Sequence, residues 1–230
     1  MCYRFLTQFN FPDVNVHSVA RERPEPGPPA IAVRRLGAAP YEIVWHAMQD
    51  FTRARNAGTP DELWLVEHEP VYTLGVGARA AHLPRGRSDI PIVRVDRGGQ
   101  ITYHGPGQVI VYVLLDMKRR RLTVRPLVRL MESAVIDLLA GYRIRAAGSI
   151  DAPGVYVEGA KIAALGLRIT RGASYHGLAL NVDMDLSPFH AIDPCGYPGL
   201  AVTQLRDLGV TDSAERAGEK LIERLVEILS

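Results

Sequence analysis

Two residue types are scarce enough in this chain for their positions to carry information. Of 230 residues, 27 are lysine or arginine, yet lysine occurs only at positions 118, 161 and 220, and cysteine only at 2 and 195. Arginine keeps its proton at any working pH, so each lysine is a place where a base can be made. Lys118 stands in the cluster Lys118-Arg119-Arg120-Arg121 and Lys220 in a C-terminal helical pattern, and both read as solvated charges. Lys161 sits in the apolar run GAKIAALG, where desolvation would lower its pKa and leave an amine able to accept a proton. A hairpin-end lysine that snorkels to water is the plainer reading of the same residue. Cys195 lies in HAIDPCGYPGL, where Pro194 and Gly196 imply a turn. A thiol there is a nucleophile if a neighbouring cation favours its thiolate, and otherwise a small buried hydrophobe. Nothing in the spacing shows that Lys161 and Cys195 meet.

A third candidate is the segment RGGQITYHGPGQ, residues 97–108, with four glycines around His104. It falls between IVRV at 92–95 and VIVYVLL at 109–115, branched and aromatic runs that read as buried strands. Glycine between strands lets backbone approach a ligand closely. Two tight turns, at Gly98-Gly99 and at Gly105-Pro106-Gly107, would account for the same residues with no ligand.

These residues need elements to position them. Tyr41, Val44, Trp45, Met48 and Phe51 follow Pro40 at helical spacing, with Gly58 as a stop. Short apolar runs at 63–66 and 71–74 read as strands. Leu127, Leu130, Met131, Ala134, Val135, Leu138 and Leu139 mark an amphipathic helix from near Pro126 to Gly141. Glu158-Gly159 turns GVYV back into KIAALGLRI as a hairpin, YHGLALNV is a further strand, and Leu221, Ile222, Leu225, Ile228 and Leu229 lie on a closing helix. Strands and helices without regular βαβ alternation indicate an α/β fold of the α+β, mixed-sheet kind. Residues 1–30, which contain RERPEPGPPA, are expected to be an N-terminal extension, and residues 31–230 a single domain.

Composition excludes several classes. A formal charge of +2 without a long like-charge block is not the footprint of a nucleic-acid binder. The basic cluster at 118–121 is a solvated surface or a patch for an acidic protein partner. Two distant cysteines make neither a zinc site nor a disulfide scaffold and point to a reducing, cytoplasmic compartment. No apolar run has the length of a membrane helix.

Taken together, RGGQITYHGPGQVIVY, GAKIAALGLRI and SYHGLALNVDMDLSPFHAIDPCG closely resemble the octanoyltransferases of lipoate biosynthesis, over about residues 31–210. The resemblance implies the fold of the biotin and lipoate protein ligase catalytic domain. It implies a reaction in which octanoate passes from octanoyl acyl carrier protein to a cysteine as a thioester, and then to a lysine of a lipoyl-carrying domain. Acceptors of that kind are the lipoyl domains of 2-oxoacid dehydrogenase complexes and the glycine cleavage H protein. Matched residue by residue, the nucleophile is Cys195 and the lysine that lowers its pKa is Lys161. Substrate-contacting positions are Arg97, Gly98, Gly99, Gln100, Ile101, Thr102, Tyr103 and His104, then Ala164, Leu165 and Gly166, then Gly177, Leu178 and Ala179. No cofactor or metal is implied. His104 and His176 would orient the dyad or the substrate, or simply be satisfied within a polar wall.

Each buried methylene contributes about 0.8 kcal/mol, so an octanoyl tail can be held firmly. Discrimination of one methylene is worth only about 1–3 kcal/mol, so selectivity for eight carbons should be real but leaky. Glycines 98, 99, 166 and 177 are expected to leave room for the chain. Two rivals are an ATP-dependent lipoate or biotin ligase on the same fold and a non-catalytic acyl-binding protein. Against a biotin ligase, no GRGR followed by tryptophan is present, and the RGR at 85–87 precedes the strand.

Overall fold

The computed structural model describes residues 29–79, 83–86, 89–149, 152–193 and 199–230. Residues 1–28, the bulk of the expected N-terminal extension, lie outside the described residues.

The central strand sets the architecture. β6 (Gln108–Leu114) is buried at every position. Its alternation sends Val109, Val111 and Val113 to one apolar core and Ile110, Tyr112 and Leu114 to another, so both faces of the sheet must be covered. On the first face lie α2 (Val124–Gly141) and α3 (Ala214–Leu229), which contribute Leu127, Met131, Val135 and Leu138, and Leu221, Ile222 and Leu225, each set at helical spacing. Ser213 caps α3 by accepting from the Arg216 amide at 3.2 Å. On the second face α1 (Tyr41–Ala54) packs Val44 and Met48 against Trp64, Tyr112 and Tyr175.

The main sheet has seven strands. Besides β6 they are β1 (Ala32–Ala38), β2 (Glu62–Glu67), β7 (Ala147–Gly148), β8 (Gly154–Val157), β9 (Ala160–Thr170) and β10 (Ala173–Asn181), in the order β1-β2-β6-β10-β9-β8-β7. β1 and β2 are parallel, joined through α1, and the other pairs are antiparallel. A second sheet sets β3 (Val71–Leu74) between β4 (Ile92–Arg94), parallel, and β5 (Ile101–His104), antiparallel. The mixed-sheet α/β expectation therefore holds.

The hairpin at Glu158-Gly159 forms as expected, with φ of 49° and 84°. A second hairpin of the same kind, at Arg171-Gly172 with φ of 50° and 79°, joins β9 to β10 and was not anticipated. A further correction concerns the glycine segment. It is not a loop throughout, because Ile101–His104 forms β5 and pairs with all four residues of β3.

The basic cluster at 118–121 also differs from its reading as a solvated or docking surface. Lys118 and Arg121 are exposed, but Arg120 is buried and Arg119 is half-buried. Both donate to Asp61, at 2.6 and 2.7 Å, and Arg55 completes the cage at 2.9 Å. Arg120 also donates to the carbonyls of Pro29 and Leu229, tying both described ends of the chain to the sheet. Burial alone would push the Asp61 carboxyl up, but the Asp116 amide and the guanidinium groups of Arg119 and Arg120 outweigh it and hold the group below its ordinary value. Asp61→Ala should cost about 3 kcal/mol or more, because it leaves buried cations uncompensated. Urea unfolding measures this; a loss below about 1 kcal/mol would show the cage to be dispensable.

Candidate active site

Lys161 is at the edge of the β8–β9 hairpin, and strand alternation by itself would put its side chain on the opposite face from Ala164 and Gly166. A bulge changes that. On β8, Val155 pairs with Ala163 and the next residue, Tyr156, pairs with Lys161, so Ile162 has no partner. The extra residue turns Ile162 and Ala163 into the helix-covered core and brings Lys161 to the face of Ala164 and Gly166. There Lys161 is 4% exposed, so it does not snorkel to water. Its Nζ donates to the Pro153 carbonyl at 3.4 Å and lies 5.1 Å from the Tyr156 ring centre.

The same face carries a cleft. The two other expected substrate segments meet across one ladder, with Gly166, Leu165 and Ala164 of β9 opposite Gly177, Leu178 and Ala179 of β10. These six residues, Lys161, Arg97, Gly99, Gln100, Ile101, Thr102 and His104 all line it. Tyr103 and Gly98 do not. The ring of Tyr103 points to the other side of β5, 5.6 Å from Tyr72 and 5.5 Å from Phe189. Gly98 donates its amide to the Leu167 carbonyl at 2.9 Å, which fastens the glycine segment to β9. The expectation that glycines clear space for a ligand is met differently at two positions. A Cβ on Gly177 would sit 2.0 Å from the Val111 carbonyl oxygen, and one on Gly166 would sit 3.2 Å from both the Arg97 side chain and the Gly98 oxygen. Glycine at 166 and 177 thus answers to neighbouring protein atoms first.

Cys195 lies outside the described residues. What is described on its far side returns to Lys161: the Lys161 amide donates to the Ala201 carbonyl at 2.8 Å, and the Lys161 carbonyl accepts from Thr203 at 3.0 Å. Ala201 is six positions after Cys195, a tether of at most about 20 Å.

The inner end of the cleft is polar. Arg97, 8% exposed, donates to the Thr73 carbonyl at 2.7 Å and to its hydroxyl at 2.8 Å. His104 pairs its Nδ1 with Gln108 Oε1 at 2.7 Å and lies 5.7 Å from Tyr41, ring to ring. His68 bridges the Ala39 carbonyl and the Tyr112 hydroxyl, both at 2.7 Å. Asp96 collects four donors: Trp45 at 3.0 Å, Gln49 at 3.2 Å, His176 at 2.9 Å and the Tyr175 hydroxyl. Burial would raise Asp96, but the bonds from His176, Tyr175 and Trp45 take it far below the carboxylate range. Asp96, Tyr41, His68 and Tyr112 escaped the sequence reading; the one local signal was an acidic residue directly before the RGG segment.

The three buried imidazoles share one electrostatic fate. Burial lowers His68 to about 4 and His104 to about 3, and it lowers His176 despite the opposing pull of Asp96. All three are neutral near pH 7, whereas the unfolded chain protonates its histidines near 6.5. Below that value the unfolded state binds more protons, so stability is present above pH 6.5 and falls as pH drops toward 4 and 3. The expected slope is about 1.4 kcal/mol per pH unit for each of His68 and His104. Urea midpoints at pH 7, 6 and 5 check it; no loss between pH 7 and 5 would contradict the placement of these groups.

Chemically, the arrangement offers a buried amine beside a cleft that also has a hydrogen-bonded polar wall. Among the described residues no group of three or more histidine, cysteine, aspartate or glutamate side chains could hold a metal, and no helix is long and apolar enough to cross a membrane.

Comparison with known proteins agrees with this geometry. The family profile of the lipoyl protein ligase A/B catalytic domain matches residues 40–226. The chain is 58% identical to an octanoyltransferase of Aromatoleum aromaticum over 209 residues, covering 90% of each. Its fold superposes on a bi-partite lipoate protein ligase of Thermoplasma acidophilum with a TM-score of 0.68 at 19% identity, covering 87% of this chain and 84% of that one. It also matches a biotin protein ligase of Aquifex aeolicus with a TM-score of 0.53 at 12% identity, covering 87% and 70%. The chain belongs to the octanoyltransferases, acyltransferases built on the lipoyl protein ligase A/B catalytic domain.

Proposed function

We propose that this protein moves an octanoyl group from octanoyl acyl carrier protein to a lysine of lipoyl domains, through a thioester on Cys195 and without ATP. The observation that carries this reading is Lys161. A β-bulge turns this buried amine into the apolar cleft, and the chain that follows Cys195 is hydrogen-bonded to its backbone.

In the first half reaction Lys161 takes the thiol proton of Cys195, and the thiolate attacks the carbonyl of the donor thioester. The tetrahedral intermediate collapses with loss of the carrier thiolate, which recovers the proton from Lys161. In the second, the amine of the acceptor lysine attacks the Cys195 thioester and Lys161 accepts its proton. Cys195 then leaves as a thiolate, and an amide has formed. Energetically no nucleotide is needed, because the donor already holds the acyl group as a thioester. Ala164 and Ala179 supply apolar contact for the tail. The acceptor reading, lipoyl domains of 2-oxoacid dehydrogenase complexes or the glycine cleavage H protein, is supported by the family.

The test mixes the protein with octanoyl acyl carrier protein and a lipoyl domain, with and without ATP, and weighs the domain by mass spectrometry. A gain of one octanoyl group independent of ATP is expected. Transfer only from free octanoate with ATP would replace this reading by a ligase, and binding without transfer would replace it by a non-catalytic acyl carrier.

A further inference from the structure

His176 is placed at odds with its strand. Leu178 and Leu180 of β10, and Val182 directly after it, point into the helix-covered core. His176 instead has φ of +60°, uncommon for any residue but glycine, and its ring stacks against Tyr175 and lines the cleft. It is 1% exposed. Its Nε2–H donates to Asp96, which also holds Trp45, Gln49 and Tyr175, so the ring cannot swing without breaking a bond to a carboxylate fixed by three other donors. With the proton on Nε2, the buried Nδ1 is a bare acceptor and has no partner.

Its position along the cleft gives this a use. His176 is opposite Leu167 on β9, and Lys161 lies six residues back along that strand, one of them taken up by the bulge. The separation is about 17 Å of strand. That is about the length of a lysine side chain and an eight-carbon chain laid end to end. The ladder between them sets Ala164 opposite Ala179 and Gly166 opposite Gly177, all four lining the cleft, and His176, next along β10, lines it beyond them.

We propose that His176, clamped by Asp96, is the end stop that sets the length of acyl chain the cleft accepts, an inference that rests on the octanoyl-transfer reading above. An eight-carbon tail ends before the ring. A ten-carbon tail would have to press its last methylenes against a rigid imidazole and cover an acceptor that it cannot satisfy. Asp96 acts through His176 as a positioning residue.

The test is a chain-length series of hexanoyl, octanoyl, decanoyl and dodecanoyl carrier thioesters with wild type, His176→Gly and His176→Asn. Both replacements accept a left-handed backbone, so neither strains the fold more than histidine does, and Asn covers the case in which Gly is too unstable. In wild type octanoyl should lead. In His176→Gly, and to a smaller degree in His176→Asn, kcat/KM for decanoyl relative to octanoyl should rise at least about tenfold, the low end of what one methylene can discriminate. An unchanged ratio, or an equal loss at every length, would overturn the proposal and leave His176 a structural residue. Wild type that transfers no acyl group of any length would instead remove the octanoyl-transfer reading itself.

Discussion

Cys195→Ala is expected to abolish the acyl-enzyme and to cut octanoyl transfer at least about a thousandfold. If the donor thioester and the acceptor amine reacted directly, the cysteine would be a spectator and alanine would cost little. If the group passes through Cys195, both half reactions lose their shared atom. Serine at 195 should recover little, because a hydroxyl needs a far stronger base than a thiol to become an anion. Single-turnover transfer to a lipoyl domain measures the effect, with urea unfolding as the control for folding. Activity of Cys195→Ala within tenfold of wild type would rule out the thioester route.

Lys161→Ala should lower the transfer rate about a hundred- to ten-thousandfold, the span of positioned acid–base groups. Lys161→Arg is the sharper variant. It keeps a cation next to the cleft but cannot give up or accept a proton at working pH, so it should be nearly as slow as alanine in amide formation. The two variants part in the first half reaction. A cation suffices to favour the Cys195 thiolate, so Lys161→Arg should acylate faster than Lys161→Ala while deacylating no faster. Rapid-quench measurement of each half reaction reads this directly. If Lys161→Arg were as fast as wild type in both, Lys161 would act through charge alone and not as a base.

How far the sequence could be read depended on how local each signal was. β6 was legible because seven apolar residues in a row have no solvated alternative, and α2 and α3 because their apolar positions repeat at helical spacing. β5 was not. Its four residues are flanked by glycines whose turn signal overrode a short strand pattern. At the candidate site, Lys161 stood out through the rarity of lysine, whereas the pairing of Ala164–Gly166 with Gly177–Ala179 depends on the unanticipated hairpin at Arg171-Gly172. The bulge at Ile162 had no such mark. Alternation taken at face value would have turned Lys161 away from Ala164, and only the register shows the correction. The Asp96 network was out of reach for another reason. Its donors come from α1, 51 and 47 residues away, and from β10, 79 and 80 residues away, and none of those separations is a period of any local structure. Arg120 misled in the opposite direction, since a run of four basic residues reads as solvated charge until a buried carboxylate such as Asp61 is found facing it.

The proposed reaction depends on a covalent intermediate on Cys195. The most direct measurement is intact-protein and peptide mass spectrometry after mixing wild type with octanoyl acyl carrier protein in the absence of ATP and acceptor. One octanoyl group per chain is expected, on the peptide that contains Cys195, lost when a lipoyl domain is added and absent from Cys195→Ser. Transfer to the domain with no adduct on Cys195, or an adduct on another residue, would contradict it.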